Sequence, residues 1–440
     1  MMKVMKFGGT SVGSAERMKN VAKLIAGSPH SLVVLSAMSG TTNSLVEISK
    51  YLHTGNADGA NEIINQLEQL YRRHISGLLT DPACLGQLTS FANEEFNLLR
   101  TFTKQPFTLR EEKIILAQGE ILSTNMMAAY LREQGHKVAL LSALDFMRLN
   151  KNGEPDSIYI KEKLTEQLRT HAEAEILITQ GFICLNANGD IDNLQRGGSD
   201  YTASLVGAAI EASEIQIWTD IDGMHNNDPR VVDHTTAIRQ LHFNEAAELA
   251  YFGAKVLHPT CIQPAKFANI PVRVLNTMMP EALGTLISNH SERGIIKAVA
   301  AKDNITAIKI KSSRMLLAHG FLRRVFEIFE SYQTSIDMIC TSEVGVSMSI
   351  DDTKHLAEIV EDLKKYGTVT VDHDMCIVCV VGDMDWENVG FESRAMDAMK
   401  DIPVRMISYG GSNYNISFLI RESDKSLALK NLSKNLFNEE

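Results

Sequence analysis

The chain has 440 residues, a formal charge of −11 and 44% hydrophobic residues. That length suits about three domains, and the acidic balance argues against general binding to nucleic acid or to an anionic membrane. No apolar run reaches the ~18 residues of a transmembrane helix, Met1-Met2-Lys3 enters a strand without the apolar region of a signal peptide, and the six scattered cysteines fit a reducing, cytoplasmic setting.

The first strand, residues 4–7, runs into Lys6-Phe7-Gly8-Gly9-Thr10-Ser11-Val12. Glycines let backbone N–H groups approach a ligand with no Cβ in the way. Ser14 is placed to cap a following helix whose apolar face is Met18, Val21, Ala22 and Ile25. Strand, glycine turn and helix start make an anion site, with a lysine at its mouth suited to a phosphate in transfer. The alternative is a plain βα turn with a surface lysine. Neither a G-x-x-x-x-G-K-[ST] loop nor G-x-G-x-x-G occurs in the chain, so the commoner phosphate loops are excluded.

Further strands are expected at 32–35, 138–141, 176–179, 215–218 and 272–275, most of them continuous apolar runs of the kind buried on both faces. Helical patterns lie between them, which implies an α/β domain over residues 1–290 with a parallel-rich sheet between helices. Ligands of such sheets bind at the carboxyl ends of the strands. Residues 56–135 read as an inserted helical lobe. A polar linker follows near 288–294. Beyond it, strands at 305–310, 336–339, 346–350 and 369–371 with helices at 321–329 and 356–365 spell βαββαβ, a ferredoxin-like unit at 303–374. A shorter copy occupies 375–440, and Asp337-Met338-Ile339 aligns with Arg405-Met406-Ile407. An exchange of strands between the two copies is left open. The C-x-x-C of Cys376 and Cys379 lies in a strand, where positions three apart face opposite ways, so the pair should not share a metal.

Polar clusters fall at the strand ends: Ser36-Ala37-Met38-Ser39-Gly40-Thr41-Thr42, then Gln118-Gly119-Glu120, then Arg196-Gly197-Gly198-Ser199-Asp200. Arginine grips carboxylates in a bidentate fork, and Asp200 is either an active group or a helix N-cap. Trp218-Thr219-Asp220, Asp228-Pro229-Arg230 and Phe252-Gly253-Ala254-Lys255-Val256-Leu257-His258-Pro259 follow.

In this order and spacing these motifs resemble those of aspartokinases, over nearly the whole chain. The tail is similar to paired ACT domains, above all those of monofunctional, lysine-sensitive aspartokinases, on Gly320-Phe321-Leu322 and Thr341-Ser342-Glu343-Val344. The resemblance implies transfer of phosphate from MgATP, with Mg2+ as the metal, to the β-carboxylate of L-aspartate, without an appended homoserine dehydrogenase. It implies Lys6 on the transferring phosphoryl group, Gly8 and Gly9 on the phosphates, and Thr219, Asp220, Arg230 and Lys255 on ATP. His225 stands where relatives often carry a tyrosine near the nucleotide. Arg196 would bind the substrate α-carboxylate and Glu120 its ammonium, Ser36 and Thr42 the attacking end, while Ser199 and Asp200 organise the site. An L-lysine site would comprise Met315, Ala318, Phe321, Leu322, Ile336, Asp337, Thr341, Ser342 and Glu343, at a homodimer interface of the ACT units. Ala318 stands where lysine-binding relatives often have serine. The rival expectations are another kinase of the same superfamily, or an amino-acid sensor with a degenerate kinase domain.

Overall fold

β1 (Lys3–Phe7) is buried at four of its five positions and β2 (Ser31–Leu35) at all five; apart from Lys6 and Ser31 the buried side chains are apolar, on both faces of the strands. They form the centre of the first of two compact units in the computed structural model, which describes residues 2–194, 197–253, 257–312 and 319–437. This unit holds residues 1–224 and 257–289. Its further elements are α1 (Ala15–Ala26), α2 (Thr41–His53), α3 (Ala57–Leu78), α4 (Pro82–Thr101), α5 (Leu109–Glu133), β3 (Val138–Leu141), α6 (Ser157–Thr170), β4 (Ile176–Gln180), β5 (Ile183–Leu185), β6 (Ile191–Asn193), α7 (Gly198–Ala209) and β7 (Ile215–Thr219). β8 (Gln240–His242) and α8 (Phe243–Tyr251) fall in the second unit; α9 (Gln263–Phe267), β9 (Val272–Asn276) and β10 (Thr285–Ser288) complete the first.

The strands of the first unit run in the order β3-β4-β2-β1-β7-β9-β10. All neighbours are parallel except the β9–β10 pair. The carboxyl ends of β1, β2, β4 and β7 therefore lie side by side, and each releases a loop at the same edge of the sheet. The expected strands are all present, within one residue at either end. The expected helical lobe is α3, α4 and α5, but it is not a separate body. Tyr71, Phe96 and Met126 share one apolar core with Met5, Phe7 and Val33 of the sheet. Ser14 caps α1, accepting from the Arg17 N–H at 3.2 Å.

The second unit comprises residues 225–256 and 290–440. It is cut differently from the expectation, which placed 225–256 with the kinase domain. Two long antiparallel strands form its spine, β11 (Ile296–Lys311) and β14 (Thr368–Gly382). With α10 (Phe321–Ser331), β12 (Met338–Ser342), β13 (Gly345–Ile350), α11 (Leu356–Lys364), α12 (Phe391–Ala398), β15 (Met406–Tyr409), β16 (Asn415–Arg421) and α13 (Lys425–Phe437) they make one sheet ordered β12-β13-β11-β14-β16-β15.

Three expectations need correction here. The strand expected at 369–371 runs on without a break into the second copy, as far as Gly382. The strand expected at 305–310 begins nine residues earlier, at Ile296. The strand expected at 336–339 lies at Met338–Ser342. Each half of the sheet has its own core: Phe321, Val325, Phe329 and Met348 in one, Cys376, Val378, Phe418 and Leu432 in the other. Cys376 belongs to that second core and Cys379, buried beside it in sequence, does not. Alternation along β14 puts them on opposite faces.

Candidate functional site

Lys6 is the fourth residue of β1 and only 9% exposed. Its Nζ lies 2.7 Å from Asp200 Oδ1. Asp200 is not the N-cap of α7, which is Gly197 at φ +74; it stands in the first turn, where the helix dipole favours an anion. The Gly8 N–H donates to the Trp218 carbonyl at 3.3 Å. Gly9 is required on packing grounds, because a Cβ there would stand 2.8 Å from the Ala37 carbonyl oxygen.

Beside this pair opens a pocket of about 400 Å³ lined by Gly9, Ser36, Thr42, Glu120, Phe182 and Ser199, among others. Three of the expected substrate-binding residues, Ser36, Thr42 and Glu120, thus meet in one cavity with Ser199, expected to organise the site. Their elements explain it. Ser36 follows β2, and its N–H donates to the Phe7 carbonyl (3.1 Å). Thr42 sits in the first turn of α2, whose cap Gly40 has φ +83. Ser199 is in the first turn of α7. Glu120 comes from mid-α5, a helix whose central residues are nearly all buried.

Glu120 is the most unusual group. It is 4% exposed, and its Oε1 accepts the Ala37 N–H at 3.1 Å. Its Oε2 has no hydrogen-bond partner among the described residues. Burial pushes its pKa up to about 8, against the opposing pull of the Ala37 N–H and the Lys6 charge. A buried carboxylate with one unsatisfied oxygen is prepared for a cationic donor. This burial excludes a solvated, surface role for Glu120.

Phe182 was not singled out by the sequence. It holds φ +67, rare for a bulky side chain, and its N–H donates to Thr202 Oγ1 (3.0 Å). A Cβ on Gly198 would stand 2.4 Å from its ring, and one on Gly181 would stand 2.4 Å from Ser199 Oγ. The pair Gly181-Phe182, directly after β4, was the available signal. Ser11 and Thr277 were missed as well; their hydroxyls bond at 2.7 Å, and Thr277 also donates to the Thr219 carbonyl (2.9 Å). They tie the β1 loop to the ends of β7 and β9.

Thr219 ends β7, with its hydroxyl 3.2 Å from Asp220 Oδ1. In the second unit, His225 bridges to Ala237 and its Nδ1 lies 2.8 Å from Thr235 Oγ1. Arg230 is paired with Asp228 (2.8 Å), whose carboxyl it holds below the usual range. Of the expected effector positions, Phe321 is buried in the first half-core and Leu322 is exposed. Ile336 is half-buried, while Thr341, Ser342 and Glu343 are exposed at the edge strand β12 and its turn. Asp337 is fully buried at its side chain. Arg196, Lys255, Met315 and Ala318 lie outside the described residues. No group of three or more His, Cys, Asp or Glu among the described residues is arranged to hold a metal ion. No described helix is long and apolar enough to cross a membrane.

The amino acid kinase family model matches residues 1–276, and an ACT domain model matches 378–436. Aspartokinase 1, chloroplastic, of Arabidopsis thaliana is 36% identical, covering 99% of this chain and 80% of its own length. The lysine-sensitive aspartokinase 3 of Escherichia coli is 33% identical over 99% of both chains. The crystal structure of E. coli aspartokinase III with aspartate and ADP, in its R-state, superposes with a TM-score of 0.85 at 32% identity, covering 99% of this chain and 100% of that one. The chain belongs to the amino acid kinase family, and within it to the aspartokinases, with an ACT-containing regulatory part.

Proposed function

We propose that the protein transfers the γ-phosphoryl group of MgATP to the β-carboxylate of L-aspartate, giving 4-phospho-L-aspartate, under feedback control through its ACT region. The observation that carries this reading is the buried Glu120 facing a pocket beside the Lys6–Asp200 pair. An amino acid bound by its ammonium at Glu120 presents its far carboxylate toward Lys6. A carboxylate nucleophile is already ionised at neutral pH, so no general base is needed. Phosphoryl transfer is then a matter of positioning and charge neutralisation.

In this reading Lys6 neutralises charge on the transferring group and Asp200 fixes the direction of its ammonium. The Gly8 N–H is engaged by Trp218, which leaves Gly9 as the phosphate-facing amide of the pair. Ser36, Thr42 and Ser199 supply hydroxyls around the attacking carboxylate, and Arg196 takes the α-carboxylate. Thr219, Asp220, His225, Arg230 and Lys255 serve the nucleotide, and Mg2+ arrives with it. The aspartokinase III structure with aspartate and ADP supports the choice of both ligands. The protein acts in the cytoplasm as a homodimer joined through its ACT region. L-lysine inhibits it from Met315, Ala318, Phe321, Leu322, Ile336, Asp337, Thr341, Ser342 and Glu343, a reading supported by the lysine-sensitive relative.

Coupled ADP detection with aspartate, glutamate, acetylglutamate and no acceptor tests the activity. The expected result is turnover with aspartate alone; preference for another acceptor would assign the chain to a different kinase of the family.

A further inference from the structure

Ser36, Ala37 and Met38 leave β2 and belong to no helix or strand, so their peptide groups depend on partners from other elements. One of these groups, the Ser36 carbonyl with the Ala37 N–H, is held from α5 at both of its polar atoms. The Ala37 N–H donates to Glu120 Oε1 at 3.1 Å, and the Ser36 carbonyl accepts from Ser123 Oγ at 2.8 Å. Glu120 and Ser123 stand three apart on α5 and so share one face of it. Ser123 is fully buried. On its other side the loop is tied to β1 and the glycine turn. The Ser36 N–H donates to the Phe7 carbonyl and the Ser39 N–H to the Gly9 carbonyl, each at 3.1 Å.

The direction of the Ser123 proton follows from its neighbours. The Ala143 N–H, just beyond β3, donates to Gln180 Oε1 at 2.8 Å. A backbone N–H can only donate, so Gln180 must turn its oxygen there and its amide nitrogen the other way. That nitrogen donates to Thr124 Oγ1 at 3.0 Å. Thr124 then turns its own proton to the Glu120 carbonyl, 2.8 Å away. Ser123 Oγ lies 3.2 Å from that same carbonyl but 2.8 Å from the Ser36 carbonyl, and its single proton goes to Ser36. Gln180 and Thr124 are buried too. A directed series of hydrogen bonds therefore runs from β4 through α5 to the loop after β2.

The consequence falls on Glu120. The last torsion of a glutamate is soft, and nothing in the side chain itself decides which oxygen faces a ligand. Fixing the 36–37 peptide fixes Oε1. That leaves Oε2, which has no hydrogen-bond partner among the described residues, to meet a cation. Ser36, Ala37 and Glu120 all line the pocket, and Ser123 does not.

We infer that Ser123 is a positioning residue for the amino-acid substrate: its hydroxyl sets the 36–37 peptide so that the Ala37 N–H holds Glu120 with one oxygen presented to the substrate ammonium. The inference deepens the aspartate kinase reading and rests on it. Ser123 acts through the peptide and Glu120, without contact with substrate.

The test is Ser123→Ala in the full-length protein. Alanine suits a helix interior, so the fold should persist, which circular dichroism checks. Loss of one neutral hydrogen bond should raise the aspartate KM roughly fivefold, with the ATP KM unchanged and kcat within about threefold. Ser49→Ala is the matched control. Ser49 is a buried serine of α2 whose hydroxyl donates back to the Leu45 carbonyl of its own helix at 3.0 Å, and its variant should keep wild-type constants. Ser123→Cys supplies a weaker donor and should show the same split at smaller size; it carries the test should the alanine protein not fold. The double variant Ser123→Ala with Glu120→Gln reads the route. Its aspartate KM should stay close to that of Glu120→Gln alone, because residues acting through one contact are not additive. An unchanged aspartate KM in Ser123→Ala, equal rises in the aspartate and ATP KM, or losses that add in the double variant overturn the inference. A wild type that does not phosphorylate aspartate fails the kinase reading itself, whereas an active wild type with any of those three results fails the inference alone.

Discussion

Lys6 Nζ and Asp200 Oδ1 stand 2.7 Å apart, the side chains only 11% and 15% exposed. The contact joins the end of β1 to the first turn of α7, so one ion pair fixes the cation at the mouth of the glycine turn. In a site shielded from water such a cation is worth far more to a developing charge than on the surface.

Lys6→Met should lower kcat by roughly 10²-fold or more, as loss of a transition-state charge partner does. Aspartate KM should move far less. Steady-state kinetics on protein shown to be folded by circular dichroism decide it, and turnover within a few-fold of wild type would remove Lys6 from the mechanism.

Glu120 gives the reaction a pH signature. Its folded pKa of about 8 lies above the ordinary 4.5, so the folded state binds this proton more tightly than the unfolded one. Stability from this group is full below pH 4.5, declines between 4.5 and about 8, and is lost above. Substrate ammonium favours the ionised form. Aspartate binding below pH 8 should therefore release a proton and tighten by up to about tenfold per pH unit, levelling off above. Calorimetry in buffers of different ionisation enthalpy reads the proton. Glu120→Gln should weaken aspartate more than ATP and abolish the proton release; a Gln variant that keeps the slope contradicts the assignment. Arg196→Ala should likewise raise aspartate KM more than ATP KM.

Gly119→Ala tests the packing that presents Glu120. A helix interior normally gains about 1 kcal/mol from this change. Here the new methyl would stand 2.6 Å from Ala37 Cβ and 3.2 Å from Thr41 Cγ2. Overpacking of that kind costs about 1–3 kcal/mol. A lower melting temperature and a raised aspartate KM are expected, because Ala37 supplies the N–H that holds Glu120. Stabilisation with unchanged KM would show that α5 and the Ser36–Thr42 loop yield freely.

The glycine pairs and the parallel strands were legible because each depends on local chemistry: apolar runs for buried strands, paired glycines for close approach. What α5 does with Glu120 was not. A helix buried all round has no apolar stripe, so no periodicity marks its acid as internal. The two long strands were misread for a different reason. Lys302-Asp303-Asn304 and Asp372-His373-Asp374 read as polar breaks, yet each lies within one strand and ends on a residue at positive φ, +60 for Asn304 and +55 for Asp374. The association of residues 225–256 with the tail depends on distant contacts such as Tyr251 to Asp337, which no local pattern encodes.

Regulation has its own test. Asp337→Ala should relieve inhibition by L-lysine, and uninhibited kcat should change little. Ala318→Ser should tighten inhibition a few-fold to about tenfold, the worth of one neutral hydrogen bond. Light scattering should report a homodimer that persists when residues 1–290 carry Lys6→Met. Lysine without effect on activity and without heat of binding would end the regulatory assignment and leave the kinase intact.

The central claim is the phosphorylation of the aspartate side chain, and product trapping measures it most directly. With L-aspartate, MgATP and hydroxylamine, the protein should form aspartate β-hydroxamate in step with ADP, and Lys6→Met should form almost none. ADP release that is independent of aspartate, or a hydroxamate formed from glutamate or acetylglutamate in its place, would contradict the account.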